Sequence, residues 1–326
     1  MLHNKKPIIV ISGEPYSTFL EIFFKVIKSS LIKKIKRPII LISSKKIIEL
    51  QMKKLNFNFQ INLISKDDIL KNKLNNNCIN LINVNLNFKK PFGKISSKSN
   101  FFIKECFDIA LELMKKKKGC GIINGPISKQ HFLGKKYLGI TEYIANKTLS
   151  KNNEVMLIFN KSLAVSPITT HIPLKDVNKK ITINKIIKKV CTINKFYKER
   201  FNKVPKFAIT GLNPHCESNY NNSEEEKIIK PALKLLNKKR INIIGPFPAD
   251  TIFLKNNLKN FNIIIGMYHD QVLAPYKTLY EFDAINITLG LPFIRVSPDH
   301  GPNTKMLGKN ISNSTSFQKA LVFLNT

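Results

Sequence analysis

The sequence predicts an α/β fold built on a mainly parallel sheet. Two observations carry this. Short β-branched runs that end in turn or polar residues alternate with helix-length segments of spaced apolar residues. The runs are also apolar throughout rather than alternating, the pattern of strands covered on both faces.

Taken in order, strands are expected at 7–12, 38–43, 121–124, 163–170, 206–210, 241–244, 261–266 and 284–288. Helices are expected at 18–31, 100–117, 177–198 and 224–239, where apolar residues recur at helical spacing. The Asn/Lys-rich stretches 71–77 and 255–260 are expected to be exposed loops or helix ends. No repeat of 20–50 residues occurs and no Gly/Ser/Pro linker divides the chain, so two domains would share crossovers without a clean cut.

The 326 residues, 43% of them hydrophobic, are enough for one large α/β domain or two ordinary ones and exclude global disorder. The formal net charge is +33, which raises a nucleic-acid reading. Composition argues against it. Nearly all the cations are Lys, the arginines being Arg37, Arg200, Arg240 and Arg295, and Asn and Ile abound while Trp is absent. Those residues follow AT-rich codons, and the lysines are scattered through amphipathic segments rather than gathered into an arm. A solvated basic surface is expected, able to attract anionic substrates, with no nucleic-acid partner. Five cysteines, Cys78, Cys106, Cys120, Cys191 and Cys216, form no CxxC pair, which fits a reducing compartment and not a disulfide framework. No signal-peptide pattern opens the chain and no run of 18 apolar residues occurs, so a cytoplasmic protein without a membrane partner is expected.

Open parallel sheets hold ligands beyond the carboxyl ends of their strands. Three of the six histidines follow strand-like runs in that way: His171 in LAVSPITTHIPL, His215 in KFAITGLNPH and His269 in FNIIIGMYHDQ. Three imidazoles at one sheet edge make a divalent-metal site with an open position; the alternative is three unrelated loop histidines. Among the rest, His3 is terminal, His131 falls in an expected helix, and His300 near a turn stays a candidate neighbour. Asp270 reads as a turn or cap residue. Asp250, in GPFPADTIF, reads either as a carboxylate that orients a histidine or an ammonium group, or as a helix N-cap. Lys277, Asn286 and Arg295 supply cations and an amide near the C-terminus. Arg295 offers the planar fork that clamps phosphate or carboxylate, unless it serves a structural salt bridge. Gly13-Glu14-Pro15 and the segment 124–129 (NGPISK) read as anion-type loops. Neither is a P-loop or a GxGxxG fingerprint, so a nicotinamide cofactor would be bound in another way.

These segments together resemble the 4-hydroxythreonine-4-phosphate dehydrogenase family. The matching blocks are GEP at 13–15, NGPISK at 124–129, TEY at 141–143, TTHIPLKDV at 169–177, GLNPH at 211–215, GPFPADTIF at 245–253, MYHDQ at 267–271 and INITLGLPFIRVSPDHG at 285–301. They are collinear from residue 8 to about 320. The resemblance implies two α/β/α domains with a cleft between them, like isocitrate and isopropylmalate dehydrogenases. The first would take residues 1–125 plus about 286–326, and the second about 126–285, with the metal histidines and the dimer interface.

It implies a homodimer whose active sites are shared between subunits, an NAD cofactor with NADP left open, and one divalent ion per site, zinc, magnesium or cobalt. It assigns His171, His215 and His269 as metal ligands, and Thr141, Lys277, Asn286 and Arg295 as substrate-binding residues. Lys277 and Asp250 are the expected catalytic residues, Lys277 supplying charge or proton transfer. The implied reaction is oxidation of 4-phosphooxy-L-threonine to 2-amino-3-oxo-4-phosphooxybutanoate, then decarboxylation to 3-amino-2-oxopropyl phosphate, in pyridoxine 5'-phosphate (vitamin B6) biosynthesis. The alternatives are a paralogue that oxidises a related phosphorylated hydroxy acid and a catalytically impaired metal-binding relic.

The chain departs from the family pattern at several places. GEPAGIGPE becomes GEPYSTFLE, GHTE becomes Gly139-Ile140-Thr141-Glu142, AGE after NPH becomes Cys216-Glu217-Ser218, and DHG is followed by PNTKMLGKN. Ile140, in place of a histidine, is expected to leave a water-filled gap; the alternative is that neighbouring changes, including Tyr16 and Phe19, have repacked around it.

Overall fold

The computed structural model describes residues 5–67, 69, 74–134, 136–137, 139–216, 222–298 and 301–326. The chain folds into two compact units, Met1–Asn152 with Leu291–Thr326, and Asn153–Gly290.

The first unit opens with β1 (Ile8–Ile11), α1 (Phe19–Lys28), β2 (Ile39–Ser43), α2 (Lys45–Lys54), β3 (Ile61–Leu63), β4 (Ile79–Asn83), α3 (Asn100–Lys115), β5 (Gly121–Asn124) and α4 (Ile140–Lys147). The second unit holds β6 (Val155–Phe159), β7 (Ala164–Pro167), α5 (Val177–Lys180), α6 (Ile183–Phe201), β8 (Phe207–Thr210), α7 (Lys230–Lys238), β9 (Ile243–Phe247), α8 (Lys255–Leu258), β10 (Ile263–Gly266), α9 (His269–Tyr280) and β11 (Ile285–Leu289). The chain then returns to the first unit with β12 (Arg295–Pro298) and α10 (Thr315–Asn325).

In the first unit the strand order is β3-β4-β2-β1-β5-β12, and every pair is parallel. In the second it is β11-β6-β7-β10-β8-β9; β6 runs antiparallel to both neighbours and the rest are parallel. The mainly parallel α/β architecture is therefore present. All residues of β1, β2, β5, β7, β8 and β10 are buried, as their unbroken apolar runs require. On one side of the first sheet, Phe19 and Phe23 of α1 meet Phe317 of α10 at ring separations of 5.2 and 5.9 Å. No helix among the described residues is long and apolar enough to cross a membrane.

The eight expected strands are all found, and four more with them. β3 is only three residues long, and β4 (INLIN) carries Asn80 in its middle. Asn80 is buried at no unmet cost, because its amide donates to the carbonyls of Ile39 and Asn75 at 3.0 and 2.8 Å. β6 is a short apolar run, which periodicity alone cannot tell from buried helix. β12 begins with Arg, which breaks the uniformly apolar pattern by which the other strands are read. The expected helix 177–198 is two, broken at Ile181 and Thr182, where Thr182 Oγ1 accepts from the Lys185 amide at 3.2 Å and caps α6. The expected helix 224–239 begins with a π-helical turn, Glu225–Ile229. Pro231 follows and lacks the N–H that an α-helical ladder needs there. Within 71–77, residues 71–73 lie outside the described set. Asn76 is buried rather than exposed: its Oδ1 accepts from the Ile39 amide at 2.9 Å, and its amide donates to the Ile35 and Arg37 carbonyls.

Candidate active site

In the second unit, β7, β10 and β8 are consecutive parallel neighbours. His171, His269 and His215 each follow the carboxyl end of one of them, by four, three and five residues respectively. The His171 and His269 rings lie 6.0 Å apart between centroids. Two imidazoles on one tetrahedral ion would have centroids roughly 5 Å apart, from a metal–nitrogen distance of about 2.1 Å, so the two rings stand near each other but wider than that spacing. Asp270 is no mere turn residue, because its Oδ1 lies 2.6 Å from His269 Nδ1. That contact leaves Nε2 for an outside partner, as a carboxylate-oriented ligand requires. His215 is exposed, with φ 58° and ψ 2°. No group of three His, Cys, Asp or Glu with metal-holding geometry occurs among the described residues.

The His215 segment is held from beneath by Glu225, whose side chain is buried. Its Oε1 accepts from the amides of Leu212 and Asn213 at 2.7 and 2.9 Å, and its Oε2 accepts from Asn213 Nδ2 at 2.8 Å. These bonds hold the carboxyl below its usual range against the opposing effect of burial. Cys216, beside His215, has its thiol pushed up by burial and then by the charges of Glu225 and Asp250. Asp250 is one of the charges that raise the pKa of this thiol. It caps no helix: α8 starts at Lys255 with Leu254 at its N-cap. Lys277, half-buried, is two turns beyond His269 on α9. Asn286 faces across to Ile158 of β6, and its Oδ1 is buried without a hydrogen-bond partner. An orphaned buried acceptor is what a ligand donor would satisfy.

The first unit carries the other substrate candidates. Arg295, at the start of β12, is 1% exposed. Its Nε donates to Asn124 Oδ1 at 2.7 Å and its Nη1 to Thr141 Oγ1 at 3.2 Å. Burial lowers its pKa to about 10 and Glu142 opposes the fall, so the guanidinium stays charged at neutral pH. Arg295 and Thr141 are thus brought together. Asn124, at the end of β5, joins them although the sequence singled it out only as part of a loop.

Both loops read as anion receptors are partly occupied by the chain's own side chains. Glu14 fills the turn after β1 with its own carboxyl, 2% exposed, and burial raises its pKa to about 7. Segment 124–129 opens only a five-residue π-helical turn, Lys129–Leu133, which holds His131, whose amide donates to Ser128 Oγ at 3.3 Å. His3 and His300 lie outside the described residues, as do Glu217 and Ser218.

A family model described as pyridoxal phosphate biosynthetic protein PdxA matches residues 34–324. The chain belongs to the PdxA family. A 4-hydroxythreonine-4-phosphate dehydrogenase of Sulfurihydrogenibium sp. (strain YO3AOP1) is 40% identical over 316 residues, 95% of this chain and 94% of that protein. A putative D-threonate 4-phosphate dehydrogenase of Oceanobacillus iheyensis is 32% identical over 98% of this chain and 97% of its own length. Among solved structures, the 4-hydroxythreonine-4-phosphate dehydrogenase of Klebsiella pneumoniae is 26% identical, covers 98% of each chain and superposes with a TM-score of 0.84. Isocitrate dehydrogenase from Methylococcus capsulatus shares the fold alone, at 9% identity and a TM-score of 0.51 over 98% of this chain and 84% of that one.

Two departures from the PdxA pattern have a structural account. Ile140, the half-buried first residue of α4, packs against the hydrophobic cluster that includes Phe107, Leu133 and Tyr143. The bulk in GEPYSTFLE is housed by glycines. Gly13, at φ +71°, turns the chain where a Cβ would lie 2.4 Å from the Pro126 carbonyl. Gly125 leaves room for the Phe19 ring, which a Cβ there would approach to 2.7 Å.

Proposed function

We propose that this chain is an NAD-dependent dehydrogenase that oxidises 4-phosphooxy-L-threonine to 2-amino-3-oxo-4-phosphooxybutanoate, whose decarboxylation gives 3-amino-2-oxopropyl phosphate, on the pyridoxine 5'-phosphate route in the cytoplasm. The observation that carries this reading is the near full-length likeness to a relative named for that reaction, at 40% identity. The proposed ligands of a divalent ion (zinc, magnesium or cobalt) are His171, His215 and His269. The nearness of His171 to His269 and the placement of all three after neighbouring strands support this. Such an ion, when bound, supplies Lewis-acid polarisation of the hydroxyl to be oxidised, while the nicotinamide accepts hydride.

The chain's own residues do the rest. His269 is oriented by Asp270 through Nδ1. Arg295 presents a buried, charged fork to an anionic substrate group, and Asn124 and Thr141 fix its plane. Asn286 offers its unpaired Oδ1 to a substrate donor. Lys277 is proposed to neutralise charge and carry a proton, with Asp250 supplying a second charge that acts on Cys216 next to His215.

The homodimer with shared sites is part of the same proposal. Large apolar side chains stand exposed next to the site segments: Leu174 three residues after His171, Leu254 four after Asp250, and Phe282 five after Lys277, at 68, 57 and 50%.

A second reading, oxidation of a related phosphorylated hydroxy acid such as D-threonate 4-phosphate, is favoured by Ile140 and by the name of the Oceanobacillus relative. The deciding experiment is an NADH-production assay on both substrates, with and without chelator. The first reading expects chelator-sensitive turnover of 4-phosphooxy-L-threonine at the higher kcat/KM. Preference for the threonate would replace it, and no turnover of either with metal still bound would favour an impaired relic.

A further inference from the structure

Three segments carry the candidate histidines, and the Met267 backbone together with the Gln271 side chain joins them. The Met267 carbonyl, two residues before His269, accepts from Thr169 twice, from its amide at 3.1 Å and its Oγ1 at 2.8 Å. Thr169 lies two residues before His171. The Met267 amide donates to Gln271 Oε1 at 2.7 Å. That same oxygen accepts from Thr210 Oγ1 at 2.8 Å, while Gln271 Nε2 donates to the Gly211 carbonyl at 2.7 Å. Thr210 and Gly211 end β8 and lead to His215.

The Gln271 carboxamide therefore uses both of its ends. Its oxygen faces two donors and its nitrogen faces a carbonyl, so the opposite flip would set NH2 against N–H and C=O against C=O. Thr169, Thr210 and Met267 are buried, so these bonds lie out of competition with water and are dear to break. Val272 closes over the junction so tightly that a Cβ on Gly266 would come within 2.4 Å of it. Both ends of the Gln271 carboxamide are committed to the strand ends, so it is not proposed as a ligand.

We infer that Gln271 is the positioning residue of this site: it sets the His215 segment in register with the His269 turn, and through Met267 and Thr169 with His171. This rests on the reading that the histidines hold a divalent ion. Gln271→Glu keeps size and both accepting bonds, and loses only the donor to Gly211, leaving oxygen against oxygen.

The test is cobalt(II) titration of the metal-free protein, followed by visible absorption, with the metal-free melting temperature alongside. The expected result for Gln271→Glu is cobalt affinity weakened about tenfold to a hundredfold, the range for residues that orient ligands, with an altered spectrum and a metal-free melting temperature within a few degrees of native. A merely structural role would lower the metal-free melting temperature and leave the affinity of the folded protein unchanged; that outcome overturns the inference while the proposed function stands. Should Gln271→Glu fail to fold, Thr210→Val removes one of the three bonds with little change of shape. It is then expected to weaken cobalt binding by a smaller factor, and unchanged binding overturns the inference. If the native protein binds no cobalt at all, the metal reading falls and the inference with it.

Discussion

Arg295 and Glu14 are both buried ionisable groups of the first unit, and burial leads them to different states. Arg295 stays cationic because its pKa, though lowered to about 10, is far above neutrality. Arg295→Lys keeps the charge but cannot reproduce the bonds from two guanidinium nitrogens to Asn124 and Thr141. The variant is expected to bind the phosphorylated substrate about 1–3 kcal/mol more weakly, as for a charged hydrogen bond; native affinity by calorimetry would remove Arg295 from the site. Glu14 titrates near 7 instead of 4.5 because desolvation outweighs its bonds from the Tyr16 amide and Ser99. Between those values the folded chain keeps a proton that the unfolded chain releases, so stability falls as pH rises through that window. The loss levels off above about pH 7 at about 3 kcal/mol, from the size of the shift. Glu14→Gln removes the titration, so its advantage in melting temperature over the native chain should grow from about pH 5 to pH 8. An offset that does not change with pH would refute the assignment. Neither partner set was legible in the sequence. Asn124 and Arg295 are 171 residues apart, and Gln271 and Gly211 are 60 apart. The histidines stood out because each follows an apolar run within a few residues.

Elements were read best where one physical signal dominated. Uniformly apolar β-branched runs gave strands in place. Elements with mixed signals were missed: β12, whose Arg295 is a charged, proposed site residue inside a strand, and α9, whose first turn holds His269 and whose interior holds Pro275. α4 shows why a motif departure cannot be judged from the motif alone. Its first residue, Ile140, is packed against the core cluster together with Tyr137, Leu291 and Phe293, while the next, Thr141, receives the bond from Arg295. Ile140→His would place a polar ring where apolar contacts now anchor the helix start. It is expected to cost about 1–2 kcal/mol of stability and to weaken substrate binding by displacing Thr141. Melting temperature and KM are the measurements; tighter binding at an unaltered melting temperature would show that space for the imidazole exists after all.

For the whole molecule, charge and exposed apolar surface oppose each other. Leu174, Leu254 and Phe282 are costly to leave in water, at roughly 25 cal/mol per Å² of apolar area, and a second copy covering them would favour a dimer. Each copy, however, carries a formal charge of +33, so two copies repel over a Debye length of about 10 Å at 0.1 M salt. Apolar attraction is short-ranged and insensitive to moderate salt, whereas the repulsion is screened. Dimerisation should therefore tighten as sodium chloride rises from about 50 to about 300 mM, the reverse of what contacts with a polyanion would show. If the active sites are shared between subunits, specific activity must follow the dimer fraction. Light scattering across a dilution series at each salt concentration, with NADH production measured on the same samples, checks both steps. The expected outcome is lower specific activity on dilution at low salt, restored by adding salt at the same protein concentration. A monomer that keeps full specific activity would rule out shared sites, and a dimer that loosens as salt rises would show that ionic contacts, not the apolar residues, hold it.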